Sequence, residues 1–171
     1  MTASRTVYFA HGKESGPWGL KITALARVAE AHGFRVESPD YSFTHDPDQR
    51  VAHLLSLAPE ADTLVLVGSS MGGYVSAVAS RTLQPRGLFL LAPAVYMPGY
   101  EADPSPVAER IEIVHGWNDE IIPVSHGYRL AERCRARLHV LDSEHTLNDQ
   151  IPYLEQLFSH FLATTLEKHR S

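Results

Sequence analysis

Val67-Gly68-Ser69-Ser70-Met71-Gly72-Gly73-Tyr74 reads G-x-S-x-G at Gly68, Ser70 and Gly72. It follows an apolar run at 63–67 that reads as a strand. It opens a stretch in which Val75, Val78, Ala79 and Thr82 recur at helical spacing. A strand that turns this sharply into a helix has no room for side chains two residues before and two after the central serine, hence the two glycines. The turn lifts the Ser70 hydroxyl clear of the sheet, and the helix N-terminus behind it favours developing negative charge. In that setting the pattern reads as a nucleophile elbow. A dinucleotide-binding turn would need G-x-G-x-x-G after the first strand, where this chain has His11-Gly12, and no G-x-x-x-x-G-K-S/T phosphate loop occurs.

Outward from the elbow, short β-rich runs alternate with helical stretches. Strands are expected at 6–10, 35–38, 63–67, 87–91, 111–115 and 138–141, several of them continuously apolar as in a parallel sheet covered on both faces. Ile22, Leu25, Ala26 and Ala29 lie at i, i+3, i+4, i+7, with Gly33 as a stop. Val51, Leu54, Leu55 and Ala58 mark a second helix, which Asp46 can cap with Pro47 at its first position. Further helices are expected over 124–134 and 152–168, the last with Leu154, Phe158, Phe161 and Leu162 on one stripe. Strand–helix alternation implies right-handed crossovers and an α/β sandwich. The segment 93–108, with four prolines, has no period and follows a strand. It belongs at the carboxyl edge of the sheet, where ligands bind in open α/β folds, and is too short for an extra domain.

Composition narrows the field. The 171 residues fit a single domain spanning 1–171. With 44% hydrophobic and 20% charged residues the chain is globular rather than disordered. A net charge of −5 argues against a non-specific nucleic-acid binder. The lone Cys134 excludes an internal disulfide and a zinc site built on several cysteines. The ten histidines show no H-x-H, H-E-x-x-H or H-x-x-E-H spacing, so no metal is expected. The apolar run near the N-terminus is too short for a signal-peptide core, and no stretch approaches a membrane span. A cytoplasmic protein is the expectation.

A serine nucleophile needs a base, and the base an orienting acid. In this architecture they follow the serine in the order acid, then histidine, each after a later strand. His115-Gly-Trp-Asn-Asp119 follows the fifth strand and Asp142-Ser-Glu-His145 the sixth, so Asp119 and His145 are the candidates. Glu120, Asp142 and Glu144 are fallback acids. The oxyanion donors are expected to be the backbone N–H of Met71 and, from the loop after the first strand, that of Lys13.

The whole set resembles the α/β-hydrolase superfamily, and within it the compact, cap-less bacterial serine esterases. The resemblance rests on His11-Gly12, the elbow Gly68–Tyr74, His115-Gly-Trp-Asn-Asp119 with Ile122-Pro123, and the late His145. It implies a Ser70–His145–Asp119 triad, a six-stranded parallel sheet in the order 2-1-3-4-5-6, and no cap domain. The expected activity is hydrolysis of an ester or thioester of a small or medium acyl group through an acyl-enzyme on Ser70, with no cofactor. An amidase or peptidase would use the same residues, and a non-catalytic binding module on the same scaffold is the other class. The partner is then a small-molecule acyl substrate, not nucleic acid or membrane. Relatives often carry an apolar or aromatic residue where this chain has Lys13, whose side chain is expected in solvent.

Trp18, Tyr96 and Met97, with Tyr41 and Tyr100, are candidates to line a substrate pocket. His11 and His115 are expected to order their loops by hydrogen bonds, and His139 to be structural. His32, His53, His126, His160 and His169, in or at the ends of helices, are expected to be exposed. Cys134 is expected to be a buried or half-buried, inert thiol.

Overall fold

The apolar strands pair in one parallel sheet because a connection long enough to carry the chain back, in all but one case a helix, separates each strand from the next. The computed structural model describes residues 2–167. In chain order the elements are β1 (Arg5–Ala10), α1 (Leu20–Ala31), β2 (Arg35–Glu37), α2 (Pro47–Ser56), β3 (Thr63–Ser69) and α3 (Met71–Leu83). They continue with β4 (Gly87–Leu91), β5 (Arg110–Gly116), α4 (Val124–Cys134), β6 (Arg137–Leu141) and α5 (Ile151–Leu166). The sheet order is β2-β1-β3-β4-β5-β6, with every pairing parallel. The order reverses at β1, so the crevice between the carboxyl ends of β1 and β3 is the topological switch point. There Ala10 pairs with Gly68, which sets His11-Gly12 beside the elbow.

Alternation along β3 shows how both faces are filled. Val65 and Val67 pack with Phe9, Phe89 and the α1 and α5 residues Leu25, Phe158 and Phe161. Leu64 and Leu66 point the other way, among Leu88, Leu90, Ile113 and Leu130. The helix α2 lies on α3 through Val51, Leu54, Tyr74 and Val75. Asp46 caps α2 as expected, its carboxylate accepting the N–H of Asp48 (2.8 Å) and Gln49 (3.2 Å), with Pro47 in the first turn. Gly33, at φ +79°, ends α1.

The differences from expectation are at edges. The strand β3 runs two residues further, through Gly68 and Ser69, because its ladder with β4 continues to Ser69 opposite Leu91. A short 3₁₀ turn, Asn148–Gln150, precedes α5, which ends at Leu166; Lys168 and His169 lie outside the described residues. His160 is exposed, but His32, His53 and His126 are half-buried rather than exposed. Each faces a packed neighbour: His32 Nε2 meets the Ser159 hydroxyl, the His53 ring meets Tyr41 and Phe43, and His126 Nδ1 donates to the Val95 carbonyl. The segment 92–109 carries no helix or strand. It is tied over α3 by the Tyr74 hydroxyl, which accepts the Ala102 N–H (3.0 Å), and by Arg81 with Asp103 (3.1 Å). Among the described residues no helix is long and apolar enough to cross a membrane.

Candidate active site

Ser70 sits at φ +54°, ψ −117°, a conformation that few non-glycine residues adopt. Its N–H donates to the Leu91 carbonyl (2.9 Å), and its carbonyl accepts from Gly73 and Ala94 (2.9 Å each), so neighbouring segments hold the turn. The glycines have direct steric causes. A Cβ on Gly68 would lie 2.1 Å from the Gly72 carbonyl oxygen, one on Gly72 1.9 Å from that of Ala10, and one on Gly73 2.8 Å from Pro93. Close approach of α3 to the end of β1 is possible only without a side chain at Gly72, and its approach to the end of β3 and to Pro93 only without side chains at Gly68 and Gly73.

The Asp119 and His145 loops are stitched together before they reach Ser70. A Cβ on Gly116 would lie 2.2 Å from the Ser143 carbonyl oxygen. Trp117 and Asn118 donate their N–H groups to Leu141 (2.8 Å) and Ser143 (3.0 Å), and the Asn118 amide reaches Asp142 (2.8 Å). Asp142 is thereby engaged away from the imidazole, while Glu120 and Glu144 are exposed. His145 Nδ1 lies 2.7 Å from Asp119 Oδ2, and its Nε2 lies 3.0 Å from Ser70 Oγ.

Asp119 has no exposed side-chain surface. Its Oδ1 accepts the N–H groups of Ile121 (2.9 Å) and Ile122 (2.8 Å), and its Oδ2 faces both His145 and His115 Nε2 (3.2 Å). His115 Nε2 also lies 2.9 Å from the Ile122 carbonyl oxygen. With acceptors on both sides, that nitrogen carries the proton. Burial holds the His115 pKa below the ordinary imidazole value, so the ring stays neutral and donates. Gly127 makes the space, since a Cβ there would lie 2.5 Å from His115 Nδ1. The carboxylate therefore collects its donors on both oxygens, and the remaining imidazole proton of His145 is held on Nδ1. Its Nε2 is left to accept from the serine hydroxyl.

On the other side of Ser70, a Cβ on Gly12 would lie 3.6 Å from Ser70 Cβ. The Gly12 carbonyl accepts from His11 Nδ1 (2.8 Å), Arg50 Nη1 (3.1 Å) and Ser15 Oγ (3.3 Å). His11 Nε2 accepts the Tyr41 N–H (2.9 Å), which fixes its tautomer. Both histidines order their loops as the sequence suggested. Arg50, fully buried, also donates to the carbonyls of His11 (3.2 Å), Lys13 (3.3 Å) and Thr44 (2.9 Å). It was not anticipated. The available signal is its place at i+3 on the buried row Pro47, Arg50, Val51, Leu54 of α2. The peptide plane that turns the Gly12 carbonyl toward Arg50 turns the Lys13 N–H the opposite way. The Lys13 side chain is exposed, and Met71, whose N–H opens α3, is buried.

A cleft of ≈ 220 Å³ opens beside the elbow, lined among others by Gly12, Ser15, Lys21, Ser69, Thr146 and Asn148. Lys21 is a second residue that sequence patterning missed, hidden as an ordinary first-turn lysine. Its ammonium donates to the Thr146 carbonyl, and burial draws its pKa down to about 8 against the opposing pull of Asp119. Trp18, Tyr96 and Met97 do not line this cleft. Trp18 is largely exposed. The Tyr96 ring instead carries the Arg129 guanidinium 3.8 Å above its centre, and the Met97 carbonyl closes a turn with Tyr100 (3.1 Å). Tyr41 is fully buried, with its ring against His11. His139 packs inside β6, 3.8 Å from Glu112, and Cys134 is half-buried with its thiol pKa pushed up by burial. Among the described residues no group of three or more His, Cys, Asp or Glu side chains is arranged to hold a metal ion.

The model of the alpha/beta hydrolase family matches residues 7–166. A solved structure from Xanthomonas campestris pv. campestris, assigned to the alpha/beta hydrolase superfamily, is 35% identical. It covers 94% of this chain and 99% of its own, with a TM-score of 0.86. Est1E from Butyrivibrio proteoclasticus shares the fold at 14% identity, with a TM-score of 0.81 over 97% of this chain and 90% of that one. A lidless α/β serine hydrolase from Xanthomonas campestris does so at 22% identity, with a TM-score of 0.72 over 98% and 85%. No curated protein matches the chain.

Proposed function

The chain belongs to the alpha/beta hydrolase family, and from that premise we propose that it is a serine hydrolase cleaving an ester or thioester of a small or medium acyl group. The reading rests on one observation above all. A serine on a strained turn, a histidine 3.0 Å from its hydroxyl and a buried carboxylate 2.7 Å beyond form one hydrogen-bonded series.

In this reading Ser70 Oγ attacks the substrate carbonyl carbon while its proton passes to His145 Nε2. Asp119 remains ionised, holds the imidazole and stabilises the imidazolium. The carbonyl electron pair becomes an oxyanion, accepted by the N–H groups of Lys13 and Met71. His145 then returns the proton to the departing alkoxide or thiolate, and the acyl group stays on Ser70. Water, losing a proton to the same nitrogen, attacks the acyl-enzyme; the acid leaves and Ser70 recovers its proton. Arg50 and His11 act as positioning residues. By fixing the Gly12 carbonyl they aim the N–H of the same peptide unit at the oxyanion and polarise it. The substrate is a small molecule, no cofactor takes part, and one domain working in the cytoplasm suffices.

A fluorophosphonate probe and a p-nitrophenyl acetate assay, each run on wild type and Ser70→Ala, test the proposal. Wild type is expected to be labelled and to hydrolyse the ester, and the variant to do neither while melting at a similar temperature. Labelling that survives on the variant moves the nucleophile elsewhere, with Ser69 the first suspect. A wild type that is inert to the probe and to a panel of esters, thioesters and amides makes the chain a binding module.

A further inference from the structure

We propose that the cleft beside the elbow receives a short, carboxylate-bearing arm of the substrate, with the carboxylate on the Lys21 ammonium. The proposal rests on the hydrolase reading and names the substrate class it would act on.

The cleft adjoins the reacting centre: Ser69, which precedes Ser70, and Gly12, where a Cβ would lie 3.6 Å from Ser70 Cβ, both line it. Its ≈ 220 Å³ is below the roughly 300–1,000 Å³ of ordinary ligand pockets. An arm of a few carbons fits within it. The lining contains one lysine and no aspartate or glutamate, in a chain whose net charge is −5. Ser15, Ser69, Thr146 and Asn148 line the same cleft and bring polar groups to it but no negative charge.

Lys21 itself is under-partnered. One of its three N–H bonds goes to the Thr146 carbonyl. Among the described residues it makes no ion pair. The nearby charge that favours it, Asp119, is already engaged by its own donors. A partly desolvated ammonium with unused donors gains most from an ionised acceptor. A neutral arm would strip its remaining water and return no charge, which costs free energy. One cation matches one negative charge, which favours a carboxylate over a phosphate dianion.

The test compares mono-p-nitrophenyl glutarate with its neutral methyl ester, and 4-carboxyphenyl acetate with its neutral methyl ester, on wild type, Lys21→Met and Lys21→Gln. Wild type is expected to favour the charged member of one pair by about 10- to 100-fold in kcat/KM. The favoured pair tells whether the arm belongs to the acyl or the leaving group. The preference is expected to fall to about unity in either variant, and whichever variant folds decides. No preference in wild type, or equal losses on both members of each pair, overturns the proposal. Equal losses would mean that Lys21 only steadies the His145 loop through Thr146. Titrating glutarate into wild type and the variants, followed by NMR shifts, needs no turnover. If no ester is cleaved and Ser70 is not labelled, the hydrolase reading fails. Lys21-dependent glutarate binding then still upholds the anion subsite, and its absence overturns it.

Discussion

Ser70 occupies a backbone region that costs a non-glycine residue of the order of 1–3 kcal/mol, and bonds to Leu91, Gly73 and Ala94 hold it there. The strain places the hydroxyl, and the same logic of convergent restraint governs Asp119. Its carboxylate takes N–H groups from Ile121 and Ile122 on one oxygen and faces both His145 and His115 with the other. Asparagine cannot satisfy four donors, because one of its two polar atoms is itself a donor. Asp119→Asn is therefore expected to lower kcat on a p-nitrophenyl ester by up to about 10⁴ through the wrong imidazole tautomer. A mild loss at Asp119 together with a severe one at Asp142 or Glu144 would reassign the acid.

The elements matter here through how near they can come. The end of β1 and the start of α3 are in contact because Gly72 has no side chain; its Cβ would fall 1.9 Å from the Ala10 carbonyl oxygen. That oxygen belongs to backbone and cannot swing aside, so Gly72→Ala must push α3 away from β1 and Ser70 away from Lys13. A displacement of about 1 Å in such a site can cost 10²-fold in rate. The variant is expected to lose at least about that factor in kcat/KM and to melt lower than wild type. Unchanged kinetics would mean that the β1 loop contributes nothing to the oxyanion. Farther from the site, the α2 cap holds Arg50 in register, so a helix with no residue at the reacting atoms still bears on them.

For the molecule as a whole, two fully buried histidines link stability to pH. Burial lowers the pKa of both His11 and His115. In the unfolded chain each protonates near its ordinary value of about 6.5. As pH falls below that value the unfolded state takes up protons that the folded state refuses. Stability is thus complete above about 6.5 and declines as pH drops toward the folded pKa values. The lowered carboxyls of Asp40 and Asp103 add their losses at a lower pH. Thermal melts between pH 8 and 5 are expected to show a falling midpoint below about 6.5, with a shallower slope in His115→Gln. A midpoint flat to pH 5 would contradict the neutral, proton-refusing histidines.

The sequence by itself determined the order of strands and helices, the covered parallel sheet, and which residues stand at the carboxyl ends of β3, β5 and β6. Those properties follow from periodicity, turn chemistry and the handedness of crossovers, all local or nearly so. They sufficed to name Ser70, Asp119 and His145, and the tertiary structure brings these within 3.0 Å and 2.7 Å of one another. Only the tertiary structure decided that Arg50 lies under the Gly12 carbonyl, that His115 gives Asp119 another donor, and that Lys21 rather than Trp18, Tyr96 or Met97 faces the cleft. A lysine in a first helical turn, or an arginine on a helix stripe, reads the same whether it meets water or a loop brought from elsewhere in the chain. Which it meets is settled by packing between segments far apart in sequence. The spacing of residues along one segment carries no record of that distance.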